Sequence, residues 1–155
     1  MSMPDRGTDR PRQWDLVLAT AVGGIVGTEA RYGVGVAISH HEQQFAWSTV
    51  AINASGCLVI GALMVVLLEL TSPHRLMRPF LGVGVLGGYT TYSTFAVDAV
   101  RLVVDHRLAV ALGYVATTVL ACAFAVWVST IATLAIGRGV TSARVRRRDR
   151  SRSAS

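Results

Sequence analysis

The segment Gly87-Gly88-Tyr89-Thr90-Thr91-Tyr92-Ser93-Thr94-Phe95 decides the fold of this chain. It lies inside a hydrophobic run from about Met77 to Val104, which is long enough to cross a bilayer because a spanning helix needs about 20 apolar residues. Glycine costs roughly 1 kcal/mol relative to alanine inside a helix, and serine and threonine hydroxyls compete for backbone hydrogen bonds. The sequence therefore predicts a helix that is broken near Gly87 to Thr91.

A break at this depth has consequences for the backbone. Non-helical backbone within a membrane is tolerated only where it is buried in protein or lines a wet cavity. The freed carbonyl groups of Gly87 to Thr90 then need a partner, and a buried cation is one. A kink packed against neighbouring helices, with hydroxyls bonded back to their own helix, is the alternative. These residues alone leave both interpretations open.

The composition predicts an all-α integral membrane protein with a single domain. Hydrophobic residues make up 52% of the 155 residues and charged residues 15%, which leaves too little polar surface to cover a soluble domain. Four apolar segments, joined by short polar connections, are predicted to be transmembrane helices. They are Leu16 to Ile38, Ala46 to Leu70, Met77 to Val104 and Leu108 to Ile136.

The two ends of the chain are polar. Residues 1–13 carry no pattern of a cleavable signal peptide, and residues 14–137 form the predicted transmembrane domain. Residues 138–155 are rich in arginine and serine, so we expect a disordered cytoplasmic tail that contacts anionic lipid headgroups. The tail has no aromatic residues, so nucleic-acid binding is not expected. Cys57 and Cys122 both fall within spans, which argues against a secretory disulfide framework.

The first span carries a stripe of small residues and two charges. Ala19, Gly23 and Gly27 recur every four residues, a spacing that lets membrane helices pack closely. Glu29 and Arg31 follow, and an intramembrane charge is by default a functional-site hypothesis. Because they are two residues apart, they do not form a pair on one helix face. Arg31 could draw an anion into a vestibule or could extend to the interface.

Spans two and four each carry a polar face. Thr49 and Asn53 are one turn apart, and the Asn53 amide, with two donor hydrogens and an acceptor oxygen, is costly to bury unless those groups are used. Asn53 therefore either bonds to another helix or faces a polar path. Tyr114, Thr118 and Cys122 recur every four residues in span four. Taken alone, such a stripe indicates helix packing more often than a pathway.

Taken together, these features resemble the small Fluc (CrcB) fluoride channels. The likeness rests on the Gly87–Phe95 segment, Asn53 with Gly56, the Gly27–Tyr32 segment and Tyr114, and it extends from about Leu16 to Gly137. The glycine pair followed by Thr-Thr-aromatic-Ser-Thr-Phe is its most specific part. The resemblance implies an antiparallel dimer of four-helix subunits in the cell membrane, with two pores for passive fluoride efflux and no enzymatic step.

The resemblance also implies a set of site residues. The backbone carbonyls of Gly87 and Thr90 would hold a structural sodium ion that is not transported, in keeping with the preference of hard cations for oxygen ligands. Aromatic ring edges, which carry partial positive charge, and polar groups would line the anion pathway. These residues are Asn53, Tyr92, Phe95, Thr49, Tyr114, Thr118 and, at its entrance, Arg31. Tyr92 stands where phenylalanine is usual in the family, and Cys122 where a small hydroxyl residue would extend the polar track.

Two other functions are considered. A small multidrug-type proton-coupled transporter would use Glu29 as its carboxylate, but it leaves the break near Gly87 unexplained. A non-conducting subunit that completes a partner's channel is the second. Loss of flux on mutation of Asn53 in the assembled complex would argue against a non-conducting subunit.

The distribution of arginines predicts the orientation. With four spans, one side of the membrane carries twelve arginines and the other only Arg107 and, at a span edge, Arg101. The positive-inside rule then places both termini in the cytoplasm. Because a chain that inserts in both orientations needs nearly balanced charge, we predict pairing with an oppositely oriented homologous subunit, with a dual-orientation homodimer as the alternative. The twelve are Arg6, Arg10, Arg12, Arg75, Arg78, Arg138, Arg144, Arg146, Arg147, Arg148, Arg150 and Arg152.

Overall fold

The computed structural model describes residues 13–38, 45–70 and 74–152, and within these the side chains of all but residues 69–70 and 139–152. The described residues are helical, with no strand among them. The predicted N-terminal segment 1–13 lies outside this part of the chain except for its last residue. The helical segments follow the four predicted apolar spans closely.

Within the described residues, five α-helices and two π-helical stretches make up the four segments. The second segment ends in a π-helical stretch, the third begins with one, and the third is also interrupted at Thr90 and Thr91. In order they are α1 (Gln13–Ala37), α2 (Trp47–Val65) with its continuation Val66–Leu70, the stretch Arg78–Val85 leading into α3 (Leu86–Tyr89), α4 (Tyr92–Val104) and α5 (Leu108–Arg152).

Helix α1 packs against the first half of the broken third segment through glycines. A Cβ atom placed on Gly27 would overlap the carbonyl oxygen of Val85 and lie 2.8 Å from the backbone nitrogen of Tyr89. A Cβ atom on Gly23 would overlap the carbonyl oxygen of Phe80. The predicted packing role of the Gly23 and Gly27 face is thereby confirmed, since only glycine allows the two backbones to approach this closely.

Helices α2, α4 and α5 form a second packing layer. Helix α2 lies along α5, and α4 packs on α5 as well. Tyr114 is completely buried in this layer among Ala46, Val50, Leu102 and Ala111. The Phe45 ring meets the Tyr114 ring edge-to-face, with the centroids 5.5 Å apart.

The outer surface is strongly apolar. Large hydrophobic side chains such as Leu120 and Val104 are 69% and 67% exposed, and a surface of this kind indicates contact with lipid or another protein. Within the described residues, two helical stretches are long and apolar enough to cross a membrane, Trp47–Leu68 and Leu108–Arg138. The interruption divides the third segment, and α1 carries Asp15, Glu29 and Arg31. Four membrane crossings therefore stay a prediction.

Helix α5 differs from the sequence-based expectation at its end. Disorder was expected from residue 138, whereas the helical backbone continues to Arg152. Arginine and alanine are good helix formers and the segment has no proline. A composition unable to form a packed core can still form a helix, so the disorder of this tail and its contact with lipid headgroups stay predictions.

Candidate functional site

The break in the third segment lies at Thr90 and Thr91, and Asn53 of α2 closes it. Thr90 and Thr91 have extended backbones, with φ and ψ of −77° and 156° and of −144° and 118°. The Asn53 side-chain amide donates to the carbonyl oxygen of Thr91 at 3.0 Å, and its oxygen accepts from the Thr91 backbone N–H at 2.9 Å. One side chain therefore satisfies both backbone groups of a residue that has left the helix. One amide hydrogen of Asn53 remains for another acceptor.

Helix α4 begins immediately after the break because Thr91 caps it. The Thr91 hydroxyl oxygen accepts from the backbone N–H of Thr94 at 3.1 Å, which satisfies one of the free donors of the first turn. The same hydroxyl donates to the Thr94 hydroxyl at 2.9 Å. Thr91 is buried, so the cap is shielded from water.

The carbonyl groups before the break suit a hard cation. Both the backbone N–H and the hydroxyl of Thr90 donate to the Leu86 carbonyl, at 3.0 and 2.8 Å. The Thr91 N–H, which a continuous helix would direct to Gly87, is instead bonded to Asn53. The carbonyls of Gly87 and Thr90 thus belong to a helix end without intrahelical donors. The predicted sodium ligands are of the right type, and open space surrounds Gly87.

A cavity of about 530 Å³ lies against the break. It brings together six of the predicted site residues, from both halves of the third segment, from α2 and from α5. Sequence reasoning had not placed Cys57 beside this site, although Cys57 and Cys122 both line the cavity. The six residues are Asn53, Gly87, Thr90, Tyr92, Phe95 and Thr118.

Thr49 and Tyr114 lie beyond the cavity, around a carboxylate that sequence reasoning missed. The Thr49 hydroxyl donates to Asp98 Oδ2 at 2.8 Å, and the Tyr114 hydroxyl donates to the same oxygen at 3.4 Å. Asp98 is half-buried on α4, inside the third apolar segment. A charged residue within an apolar span is itself the signal that could have found it.

Aromatic rings connect the cavity to this carboxylate. Phe95 lies between Tyr92 and Tyr114, with ring centroids 6.0 and 5.4 Å away. Tyr92 is 81% exposed in the single chain, so its ring presents a free face. Thr118, in contrast, is buried and donates to the Tyr114 carbonyl of its own helix at 2.8 Å. Its hydroxyl oxygen therefore offers the cavity acceptor lone pairs.

The charged residues of α1 are not part of this arrangement. Neither Arg31 nor Glu29 lines the cavity; Arg31 is half-buried and Glu29 is exposed. The structure thus brings together candidates from α2, from the broken third segment and from α5. It leaves the charged residues of α1 outside. The predicted role of Arg31 at an entrance stays a prediction.

These features, an apolar helical chain with a polar break pinned by an asparagine, define a small helical membrane protein of the channel class. The family model described as "CrcB-like protein, Camphor Resistance (CrcB)" matches residues 18–130. The chain belongs to this family. It is therefore a member of a channel family and not an enzyme.

Several curated relatives are similar over most of their length. "Fluoride-specific ion channel FluC 1" of Streptomyces coelicolor is 47% identical over 117 residues, which cover 76% of this chain and 76% of the relative. "Fluoride-specific ion channel FluC 2" of Thermobifida fusca is 42% identical over 113 residues, 73% and 84% of the two chains. "Fluoride-specific ion channel FluC" of Paracoccus denitrificans is 40% identical over 123 residues, 79% and 94% of the two chains.

Proposed function

We propose that this chain forms a fluoride-selective channel of the cell membrane that lowers cytoplasmic fluoride by passive efflux. The observation that supports this most directly is the cavity in which Asn53, Tyr92, Phe95 and Thr118 meet beside the helix break. The names of the relatives agree with it. No bond is made or broken in this process; the ion moves down its electrochemical gradient.

The pathway works by replacing part of the hydration shell of the anion. The free amide hydrogen of Asn53 donates to fluoride, and the positive edges of the Tyr92 and Phe95 rings face it. Thr118 lines the same cavity, whereas Thr49 and Tyr114 lie beyond it and donate their hydroxyl protons to Asp98. Selectivity follows from the Asn53 donor and the aromatic ring edges, which replace part of the hydration shell of the ion. Because both the amide nitrogen and the amide oxygen of Asn53 are hydrogen-bonded to the Thr91 backbone, the remaining amide hydrogen has a fixed direction.

The channel is proposed to be an antiparallel dimer surrounded by lipid, with a structural sodium ion at its centre. The carbonyl oxygens of Gly87 and Thr90 from both subunits would hold the ion, which supplies positive charge that joins the two breaks and is not transported. Backbone carbonyls provide oxygen ligands without burying negative charge. The open space beside Gly87 leaves room for the second subunit.

The sodium proposal predicts that Gly87→Leu weakens the dimer and leaves the single chain folded. A Cβ atom at Gly87 meets no neighbouring helix of its own subunit within 4 Å, so we expect the loss to come mainly from the partner. Thr90→Ser should be mild because the ligand is main chain. Gly33→Leu, at another open glycine, is the control for added bulk. Dimer content in detergent, with sodium and with potassium, is the measurement, and equal severe loss in Gly87→Leu and Thr90→Ser would contradict the proposal.

The competing transporter function finds no support at Glu29. A substrate carboxylate has to face a polar path, whereas Glu29 is exposed on α1 and away from the cavity. A fluoride-efflux assay in liposomes, with chloride as the control ion, tests the proposed function. Fluoride release with no chloride release is the expected result. Absence of fluoride release from a folded, reconstituted protein, alone and with its homologous subunit, would overturn the proposal.

A further inference from the structure

The two cysteines of the chain, Cys57 and Cys122, are brought together by the fold. They lie 65 residues apart in the sequence, on α2 and α5, which pack along each other. Both thiols are free and half-buried. Both line the cavity beside the helix break, and the two thiols lie near enough to influence each other. The channel function proposed above assigns no task to this pair.

Two adjacent thiols suit one class of metal ion. Soft thiolate ligands select soft cations such as copper(I), and d10 monovalent cations accept two thiolates in a linear arrangement. Zinc, in contrast, takes four ligands in structural sites, and the described residues hold no group of three or more His, Cys, Asp or Glu side chains. The remaining cavity walls near the pair are apolar or carry amide and hydroxyl groups, which are poor ligands for a soft ion.

We propose that Cys57 and Cys122 form a two-coordinate site for a soft monovalent cation, copper(I) or silver(I), in the wall of the cavity. Binding replaces the two S–H bonds with two metal–sulfur bonds and releases two protons, with no change in oxidation state. The resulting bis-thiolate complex carries one negative charge. It narrows the cavity and repels an anion there, so the metal blocks fluoride flux. This last consequence rests on the proposed function; the metal site itself does not.

Silver(I) is the probe, because it is stable in air. Reduced protein in detergent, in a chloride-free nitrate buffer, is titrated calorimetrically with silver nitrate. The comparison uses Cys57→Ser, Cys122→Ser and the double variant, which has no cysteine at all. We expect one silver ion per wild-type chain, affinity about 100-fold or more weaker in each single variant because the second thiol acts at high effective concentration, and no comparable binding in the double variant. Gel filtration and circular dichroism show that each variant is folded.

The same four proteins are then reconstituted for fluoride efflux with and without silver. We expect one equivalent of silver to abolish efflux in the wild type, dithiothreitol to restore it, and the double variant to be insensitive. Equal silver affinity in wild type and in either single variant would overturn the paired site. Tight paired binding without an effect on wild-type efflux would overturn its placement on the pathway. Tight paired binding in a protein that never conducts fluoride would leave the metal site standing and reject the proposed channel function.

Discussion

The Asn53 side chain combines an observed contact with the break and a proposed contact with the anion. Its amide oxygen and one amide hydrogen close the backbone of Thr91, and a second hydrogen is left for the cavity. Sequence reasoning left two roles open for Asn53, a bond to another helix or a place on a polar path, and did not predict that its partner would be the break. That contact joins residues 38 positions apart, and neither the spacing of polar residues nor helix periodicity encodes such a pairing.

Asn53→Asp and Asn53→Ala distinguish the structural role of Asn53 from its proposed role in the anion pathway. The aspartate keeps an acceptor for the Thr91 N–H but sets a carboxylate against the Thr91 carbonyl and against fluoride, and like-charge repulsion at low dielectric is worth several kcal/mol. The alanine loses both hydrogen bonds, about 1 to 3 kcal/mol of stability, without adding charge. We expect fluoride efflux to fall about 100-fold or more in Asn53→Asp. The decrease in Asn53→Ala should be at least ten times smaller. Equal losses would assign Asn53 a purely structural role.

Thr49 is predicted to stabilise the protein through Asp98. Thr49→Val removes the 2.8 Å hydrogen bond to the carboxylate and leaves Asp98 with the longer one from Tyr114. Hydrogen bonds to charged groups contribute about 1.5 to 3 kcal/mol, so thermal unfolding in detergent should occur at a clearly lower temperature. Thr133→Val is the matched control, since the Thr133 hydroxyl bonds only to the Ser129 carbonyl of its own helix. Equal stability of the two variants would contradict this role.

Among the helices, the sequence predicted most of the segment boundaries because apolar runs and polar connections alternate clearly. The break lies within the predicted range, at its C-terminal end. Gly87 and Gly88 lie inside α3, and the extended residues are Thr90 and Thr91. Gly88 is needed for close approach, since a Cβ atom there would overlap the carbonyl oxygen of Gly24. A glycine pair was interpreted as a weak point of the helix, and sequence alone does not separate that role from packing.

Gly27 and Gly33 test the packing of α1. Gly27→Ala forces a methyl group into the Val85 carbonyl, and overpacking of this kind costs about 1 to 3 kcal/mol. Gly33→Ala meets no atom within 4 Å and should be neutral or stabilising by up to about 1 kcal/mol, from helix propensity. Unfolding of the two variants under identical detergent conditions is the measurement. Gly27→Ala matching the stability of Gly33→Ala would show that the close contact between α1 and the third segment is absent in the protein.

At the scale of the whole molecule, the single chain is incomplete as a soluble particle. Its outer face exposes Leu120, Val104 and Tyr92, and the carbonyls of Gly87 and Thr90 have lost the donors of a continuous helix, because the Thr91 and Thr94 N–H groups bond elsewhere. Lipid covers the apolar side chains well. It cannot hydrogen-bond to the carbonyls, and an unpaired carbonyl facing hydrocarbon costs several kcal/mol. The proposed partner subunit at the break would meet both requirements. Composition alone could not reveal this, since it fixes neither which face stays open nor what covers it.

The arginine distribution predicts how this chain is oriented in the membrane. Counted without the C-terminal tail, five arginines lie on the side of the N-terminus and the Arg75–Arg78 loop, and only Arg101 and Arg107 lie on the other. The tail weighs less because charges beyond about 15 to 20 residues from a span contribute little to orientation. Five against two is still a bias, so we expect this chain to insert in one orientation with both termini in the cytoplasm.

An antiparallel dimer then needs a second, homologous chain of opposite orientation. A cysteine added at the C-terminus of the Cys57→Ser, Cys122→Ser background should react with an impermeant maleimide only after the cells are opened. Substantial labelling of intact cells would defeat the single orientation. Expression of the chain alone tests the partner separately, because a chain inserted one way cannot form an antiparallel pair with itself. Little fluoride efflux is expected until a homologous subunit is co-expressed, and robust efflux without one would show that the chain assembles as a dual-orientation homodimer despite its arginine bias.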